Sequence, residues 1–140
     1  MAKMSNSARQ RIVDVAKAQG FLVELKEDGD DLYDKNLAFK SAKYPSRVYI
    51  HRDIGIDTGS GNFNYLRVAV HPNKFKPELI APSDGIGDYI NLQSKENRHH
   101  SSNYRDFPDG IPGKKEPFGK AYKVINLQAL AQLFAGLSGA

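Results

Sequence analysis

Between Lys35 and Arg52 the chain places Lys35, Lys40, Lys43, Arg47, His51 and Arg52 with no acidic residue among them. Phe39, Tyr44 and Tyr49 are interleaved with these cations. Basic side chains beside aromatic rings offer what a nucleic acid requires: ammonium and guanidinium groups for phosphates, and ring faces on which bases stack. The plainer account of the same stretch is a solvated basic face with Phe39 in the core. A second group, Arg98, His99, His100 and Arg105, falls in a run from Lys95 to Arg105 that is dense in hydrogen-bonding side chains.

Other chemistries leave weaker traces. His51 and Asp53 share one face of an expected strand, and a histidine brought in from a loop would complete a metal site or an acid–base pair. His99 and His100 are adjacent, a spacing that does not grip one metal as an i, i+4 pair on a helix does. Glu24-Leu25-Lys26 matches one half of a metal-dependent nuclease site. Metal-assisted hydrolysis needs converging carboxylates, and the acid upstream of this pair is Asp14, on an expected helix. The acidic turn from Glu27 to Asp31 lacks the ligand spacing and closing Glu of a calcium loop. Gly59-Ser60-Gly61 is not followed by the Gly-Lys-Ser of a phosphate loop, and Gly85-Ile86-Gly87 lacks the third glycine of the dinucleotide fingerprint. No cofactor motif is present. The absence of cysteine excludes disulfides, thiol catalysis, Cys-ligated zinc and iron–sulfur clusters.

The elements that must position these groups centre on a β-hairpin from Val48 to Val70. Val48, Ile50, Ile54 and Ile56 recur with period two, and Tyr49, His51, Asp53 and Asp57 take the alternate positions. Thr58-Gly59-Ser60-Gly61-Asn62 reads as the turn. Beyond it Leu66, Val68 and Val70 share one face, while Phe63, Tyr65, Arg67 and Ala69 share the other. A turn centred on Ser60 sets Ile54 opposite Leu66, Ile50 opposite Val70 and Asp53 opposite Arg67, giving an apolar face and a charge pair on its reverse. Arg52 falls on the apolar face, which suits a sheet edge where its stem is covered and its charge reaches water. The reverse face, Tyr49, His51, Asp53, Tyr65 and Arg67, is expected to be either a solvated sheet face or a binding face.

Two amphipathic helices flank the sheet. Ser7 to Gln19 is expected to be the first, with Ser7 and Gln10 as a capping box, Ala8, Ile12, Val15, Ala16 and Gln19 on one face, and Gly20 as the stop. Asn126 is expected to cap the second, Leu127 to Gly136, whose apolar face holds Leu127, Leu130, Leu133, Phe134 and Leu137, with fraying from Leu137 onward. Phe21 to Glu27, Leu32 to Lys40 and Ala121 to Ile125 read as further strands. Residues 71–119 hold six of the seven prolines and as many acidic as basic residues, with one short strand expected at Tyr89 to Leu92.

The pattern predicts one α+β domain over 1–140: an N-terminal helix, an antiparallel sheet of four or five strands with the hairpin 48–70 at its centre, a long irregular insertion over 71–119, then a C-terminal strand and helix. A net charge of +4 and a pI of about 9.2 suit an acidic partner. No apolar run approaches the ~20 residues that cross a bilayer, and the polar start lacks the apolar core of a signal peptide, so a cytoplasmic location without a membrane is expected. The leading functional expectation is a non-enzymatic domain that binds DNA or RNA. In it Lys35, Lys40, Lys43, Arg47 and Arg52 take phosphates, Tyr49, Tyr65 and His51 stack or hydrogen-bond, Arg67 lies on the same face, and Arg98, His99, His100 and Arg105 add loop contacts. The alternatives are a protein-interaction module that meets an anionic protein surface, such as an inhibitor or accessory subunit, and a small metal-dependent hydrolase using His51, Asp53 and the loop histidines. The oligomeric state is not legible.

Overall fold

The computed structural model describes residues 5–33, 36–51, 62–71, 86–88, 98–100, 107–108 and 117–138, the side chains of 62–65, 87–88, 98–100 and 138 excepted. The chain opens with helix α1 (Asn6–Ala18). It continues through strands β1 (Leu22–Val23), β2 (Asn36–Ser41), β3 (Tyr44–His51), β4 (Asn62–Val70), β5 (Ile86–Asp88), β6 (Arg98–His100) and β7 (Phe118–Asn126), and ends in helix α2 (Leu127–Ser138). The strands form one sheet in the order β1-β2-β3-β4-β7-β5, with β6 also paired to β7. Every pairing is antiparallel. This is the expected α+β architecture.

Helix α1 begins two residues earlier than its expected capping box. Ser5, not Ser7, is the N-cap, and its Oγ accepts the Ala8 N–H at 3.1 Å. Ala8, Ile12 and Ala16, four residues apart, are fully buried. Gly20, at φ 85°, turns the chain out of the helix in a conformation that side chains with a Cβ avoid. Helix α2 starts as expected, with Asn126 Oδ1 accepting the Ala129 N–H at 2.7 Å. It buries Leu130, Leu133, Phe134 and Leu137, so Leu137 is anchored in the core and does not fray.

The helices touch each other and cover one face of the sheet. That face is built from Leu37 and Phe39 on β2, Val48 and Ile50 on β3, Leu66, Val68 and Val70 on β4, and Tyr122 and Val124 on β7. Phe134 joins the layers, its ring centroid 4.7 Å from Phe21 and 5.5 Å from Phe39. Full burial of each such side chain stabilises the fold by about 1.5–3 kcal/mol.

Three expectations about the sheet change. The hairpin register is Tyr49 opposite Ala69 and Ile50 opposite Val68, two residues from the expected Ile50–Val70 pairing. A shift of two retains every side chain on its face, so alternation alone does not distinguish the registers. It replaces Asp53 by His51 beside Arg67. Ile54, Ile56, Arg52, Asp53 and the turn lie outside the described residues. β1 is two residues long, against the expected Phe21 to Glu27. After it the chain folds back, with the Lys26 N–H on the Asp30 carbonyl at 2.7 Å, which leaves Leu25 about half exposed (48%). β3 starts at Tyr44, taking in residues first read only as a basic run, and β7 starts at Phe118.

The described parts of 71–119 add strands to the sheet. β5 pairs with Val124, Lys123 and Tyr122, and β6 with Lys120, Gly119 and Phe118. The insertion therefore follows one edge of β7 in two pieces, with Ala121 falling between them. The strand expected at Tyr89 to Leu92 lies outside the described residues, directly after the observed β5.

Candidate nucleic-acid interface

The sheet face opposite the helices was expected to be open. Its centre is a second buried layer. Ala38, Tyr49, Ala69 and Ala121 stand opposite one another on β2, β3, β4 and β7. Alanines on either side leave room for the Tyr49 ring, which is fully buried. Phe107, from the insertion, lies over it edge-on, with centroids 5.2 Å apart and planes at 88°. The Phe118 N–H donates to the Pro108 carbonyl at 3.0 Å, tying this piece of insertion to the start of β7. Gly119 provides the floor for the ring, since a Cβ there would lie 2.6 Å from Phe107 Cε2. His71 meets Phe107 from another side at 5.5 Å, and Tyr33 packs against Tyr49 at 6.1 Å.

This layer removes two residues from the expected contact set. Tyr49 is enclosed and presents no face to a base. Arg67 is 7% exposed, far from the open sheet surface assigned to it. Of the rest, His51 is half-buried at the end of β3. Arg98, His99 and His100 form β6, with only their backbone described, and the same holds for Tyr65 within β4. Lys35, Arg52 and Arg105 lie outside the described residues. Among the described residues no group of three or more His, Asp or Glu side chains is placed to hold a metal ion.

The basic stretch is partly answered by a residue outside it. The Glu24 N–H donates to the Ala38 carbonyl at 2.7 Å, which lays Glu24 alongside β2 on the same face as Lys40 and Arg47. Arg47 Nε forms a short ion pair with Glu24 Oε1, and Lys40 Nζ approaches Oε2 at 3.9 Å. The Glu-x-Lys pair at 24–26 is thus split, with Glu24 committed to structural cations.

These residues surround the β2–β3 turn. Ser41 Oγ accepts the Lys43 N–H at 3.1 Å, setting a tight turn at Ala42 and Lys43. A shallow groove of about 450 Å³ is lined by Lys40, Ser41, Ala42, Tyr44, Pro45, Ser46 and Arg47. The Lys40 side chain is 59% exposed, and its long contact with Glu24 is of a kind that contributes little. Lys43 is exposed and makes no ion pair among the described residues. The corner thus holds one guanidinium paired with a carboxylate and two exposed ammonium groups beside serine hydroxyls.

A second charged contact was not anticipated. The acidic turn from Glu27 to Asp31 is anchored at its end, where Asp31 is 9% exposed and receives both Nε and Nη2 of Arg9. Hydrogen bonding to Asp31 holds the Arg9 guanidinium above its ordinary pKa, against the opposing effect of burial. The clue in the sequence was Arg9 itself, one position from the buried Ala8 on the flank of α1.

Compared with known proteins, the chain matches no family model, no curated protein and no solved structure. The described residues contain no helix long and apolar enough to cross a membrane.

Proposed function

We propose that this protein binds nucleic acid without catalysis, and that it does so through the β2–β3 corner. The observation that supports this reading is the grouping of Lys40 and Arg47 along one groove, with the exposed Lys43 in the adjoining β2–β3 turn. Exposed lysines offer compact point charges for phosphates, and the guanidinium held by Glu24 adds positive potential beside them. With Tyr49 enclosed, contact at this corner is to the sugar–phosphate backbone and carries little sequence information.

The test is fluorescence anisotropy of labelled single- and double-stranded DNA and RNA, titrated with salt. Each phosphate contact contributes about 0.9 to the log–log salt slope on a duplex and about 0.7 on a single strand. Lys40→Ala with Lys43→Ala should lower the duplex slope by about 1.8. Flat traces at low salt would discard the reading. A second reading, a protein-interaction module, is favoured by Leu22 and Leu25, which are 60% and 48% exposed near the β1 edge of the sheet. It predicts flat traces and a defined complex or oligomer in solution.

A further inference from the structure

A cleft of about 450 Å³ lies between α1 and the turn that follows β1. Helix α1 contributes Asn6, Arg9 and Gln10, and the turn contributes Lys26, Asp30 and Asp31. The volume falls in the range of small-molecule sites, roughly 300–1,000 Å³, but no lining residue is an apolar one. Such a wall suits a strongly polar ligand, because its groups lose water only in exchange for partners.

The walls are set before any ligand arrives. Arg9 Nε donates to Asp31 Oδ2 at 2.9 Å and its Nη2 to the other oxygen, clamping the turn to the helix and pairing these two charges. Within the turn the Gly29 N–H donates to the Lys26 carbonyl at 3.0 Å, and the Asp30 N–H to Asp28 Oδ1 at 3.0 Å. Gly29 permits this turn at φ 90°. The Lys26 ammonium and the Asp30 carboxylate have no partner among the described residues, although a backbone hydrogen bond joins the two residues. The Gln10 amide donates to Asp14 Oδ1 at 2.9 Å, which leaves its Oε1 as an acceptor.

We propose that this cleft binds a free α-amino acid with a polar side chain. Lys26 takes its carboxylate and Asp30 its ammonium, and an amide or hydroxyl of the ligand side chain meets Gln10 Oε1 and the Asn6 amide. The four charges of the cleft, two of each sign, cancel, which selects a zwitterion. A simple anion meets Asp30 and a simple cation meets Lys26, each a repulsion that a zwitterion turns to attraction. Lys26 and Asp30 are neighbours across the turn, which suits two groups carried on one α-carbon. The cleft shares no residue with the β2–β3 groove, so it stands whether or not that corner binds nucleic acid.

The probe is L-glutamine, titrated into the full chain and followed by NMR of the Gly29 N–H and of the Asn6 and Gln10 side-chain amides. Saturable binding in the millimolar range is expected, because Lys26 and Asp30 are exposed and screened. Lys26→Met and Asp30→Asn should each weaken it about threefold, the worth of an exposed ion pair. Two analogues assign the ends. Glutaminamide, which lacks the α-carboxylate, should bind more weakly and be indifferent to Lys26→Met. Glutaramate, which lacks the α-ammonium, should bind more weakly and be indifferent to Asp30→Asn. L-leucine should also bind more weakly, and Lys43→Ala should alter none of these affinities while reducing binding of polynucleotide. Absence of saturable shifts, or glutamine binding no tighter than both analogues, overturns the site. An analogue that responds to loss of the charge it cannot meet overturns the placement of its ends. Leucine binding as tightly as glutamine overturns the roles of Asn6 and Gln10.

Discussion

Substituting Gly119 by alanine tests the second buried layer at its tightest point. The new Cβ would lie 2.6 and 2.9 Å from Phe107 Cε2 and Cδ2, and 3.0 Å from the Val70 carbonyl oxygen. Favourable carbon–carbon contact begins at about 3.5 Å, so the ring must move. In moving it gives up edge-on contacts with Tyr49 and His71, about 0.5–1.5 kcal/mol each, while overpacking of this kind costs about 1–3 kcal/mol. The narrower unfolded ensemble of alanine returns about 0.4–1 kcal/mol. The expected net loss is about 2 kcal/mol. Phe107→Ala, which empties a site now 5% exposed, should cost about 3–5 kcal/mol. Without the ring, only the Val70 oxygen crowds the new methyl group, so Gly119→Ala in that background should cost under about 1 kcal/mol. The cycle therefore predicts a coupling of about 1–2 kcal/mol. Urea unfolding of the four proteins, followed by circular dichroism, measures it. Costs that add to within about 0.5 kcal/mol would refute the argument, because they would mean that Phe107 does not rest on Gly119 and that the second face has no aromatic cover.

Three further substitutions probe the charges and caps. Glu24→Gln should tighten polynucleotide binding and steepen its salt slope, by releasing Arg47 and Lys40 from their shared carboxylate; weaker binding would count against the corner. Asp31→Leu strands the Arg9 guanidinium and should cost about 3–5 kcal/mol, whereas Arg9→Met with Asp31→Leu should recover much of that loss in thermal melts. The pKa of Arg9 is raised by the fold, so its contribution is fully present below the ordinary arginine range and is lost only as pH climbs through the raised value. The contribution of Arg9 to stability should therefore be flat from neutral to mildly alkaline solution, and a loss near neutrality traced to Arg9 would contradict the pairing. Asn126→Ala should cost about 1 kcal/mol in urea unfolding, while Asn126→Asp should retain the cap.

The elements that were legible are those whose evidence is local. Leu130, Leu133, Phe134 and Leu137 repeat at helical spacing directly after a capping Asn, and the observed helix buries all four. The two faces of the hairpin were equally legible, because alternation separates Val48 and Ile50 from Tyr49 within a few residues. Errors arose where two local solutions were nearly equivalent. Ser5 and Ser7 both offer an Oγ to a helix start, and either cap leaves Ala8, Ile12 and Ala16 on one face. Registers differing by two residues likewise bury the same isoleucines and valines, so the choice passed to pairings with β2 and β7 that no short window contains.

The candidate site was legible as a list of charges but not as an arrangement, and the reason is sequence distance. Lys40 and Arg47 look free within a window that lacks acids, yet Glu24 reaches them from just beyond β1, 23 positions before Arg47. Tyr49 looks like a stacking platform until Phe107, far along a proline-rich segment, is seen to cover it. A polar or aromatic sheet face reads as wet only if nothing returns to close it, and the long insertion is the part of the sequence with the least periodic signal. What the closure changes is the kind of contact the molecule can make. The Tyr49 ring that would have stacked on bases is spent on packing the second layer, and Arg67 is drawn inside, opposite the exposed Lys123. Accessible charge is left at the β2–β3 corner, where backbone contact without base readout is the interaction the geometry favours.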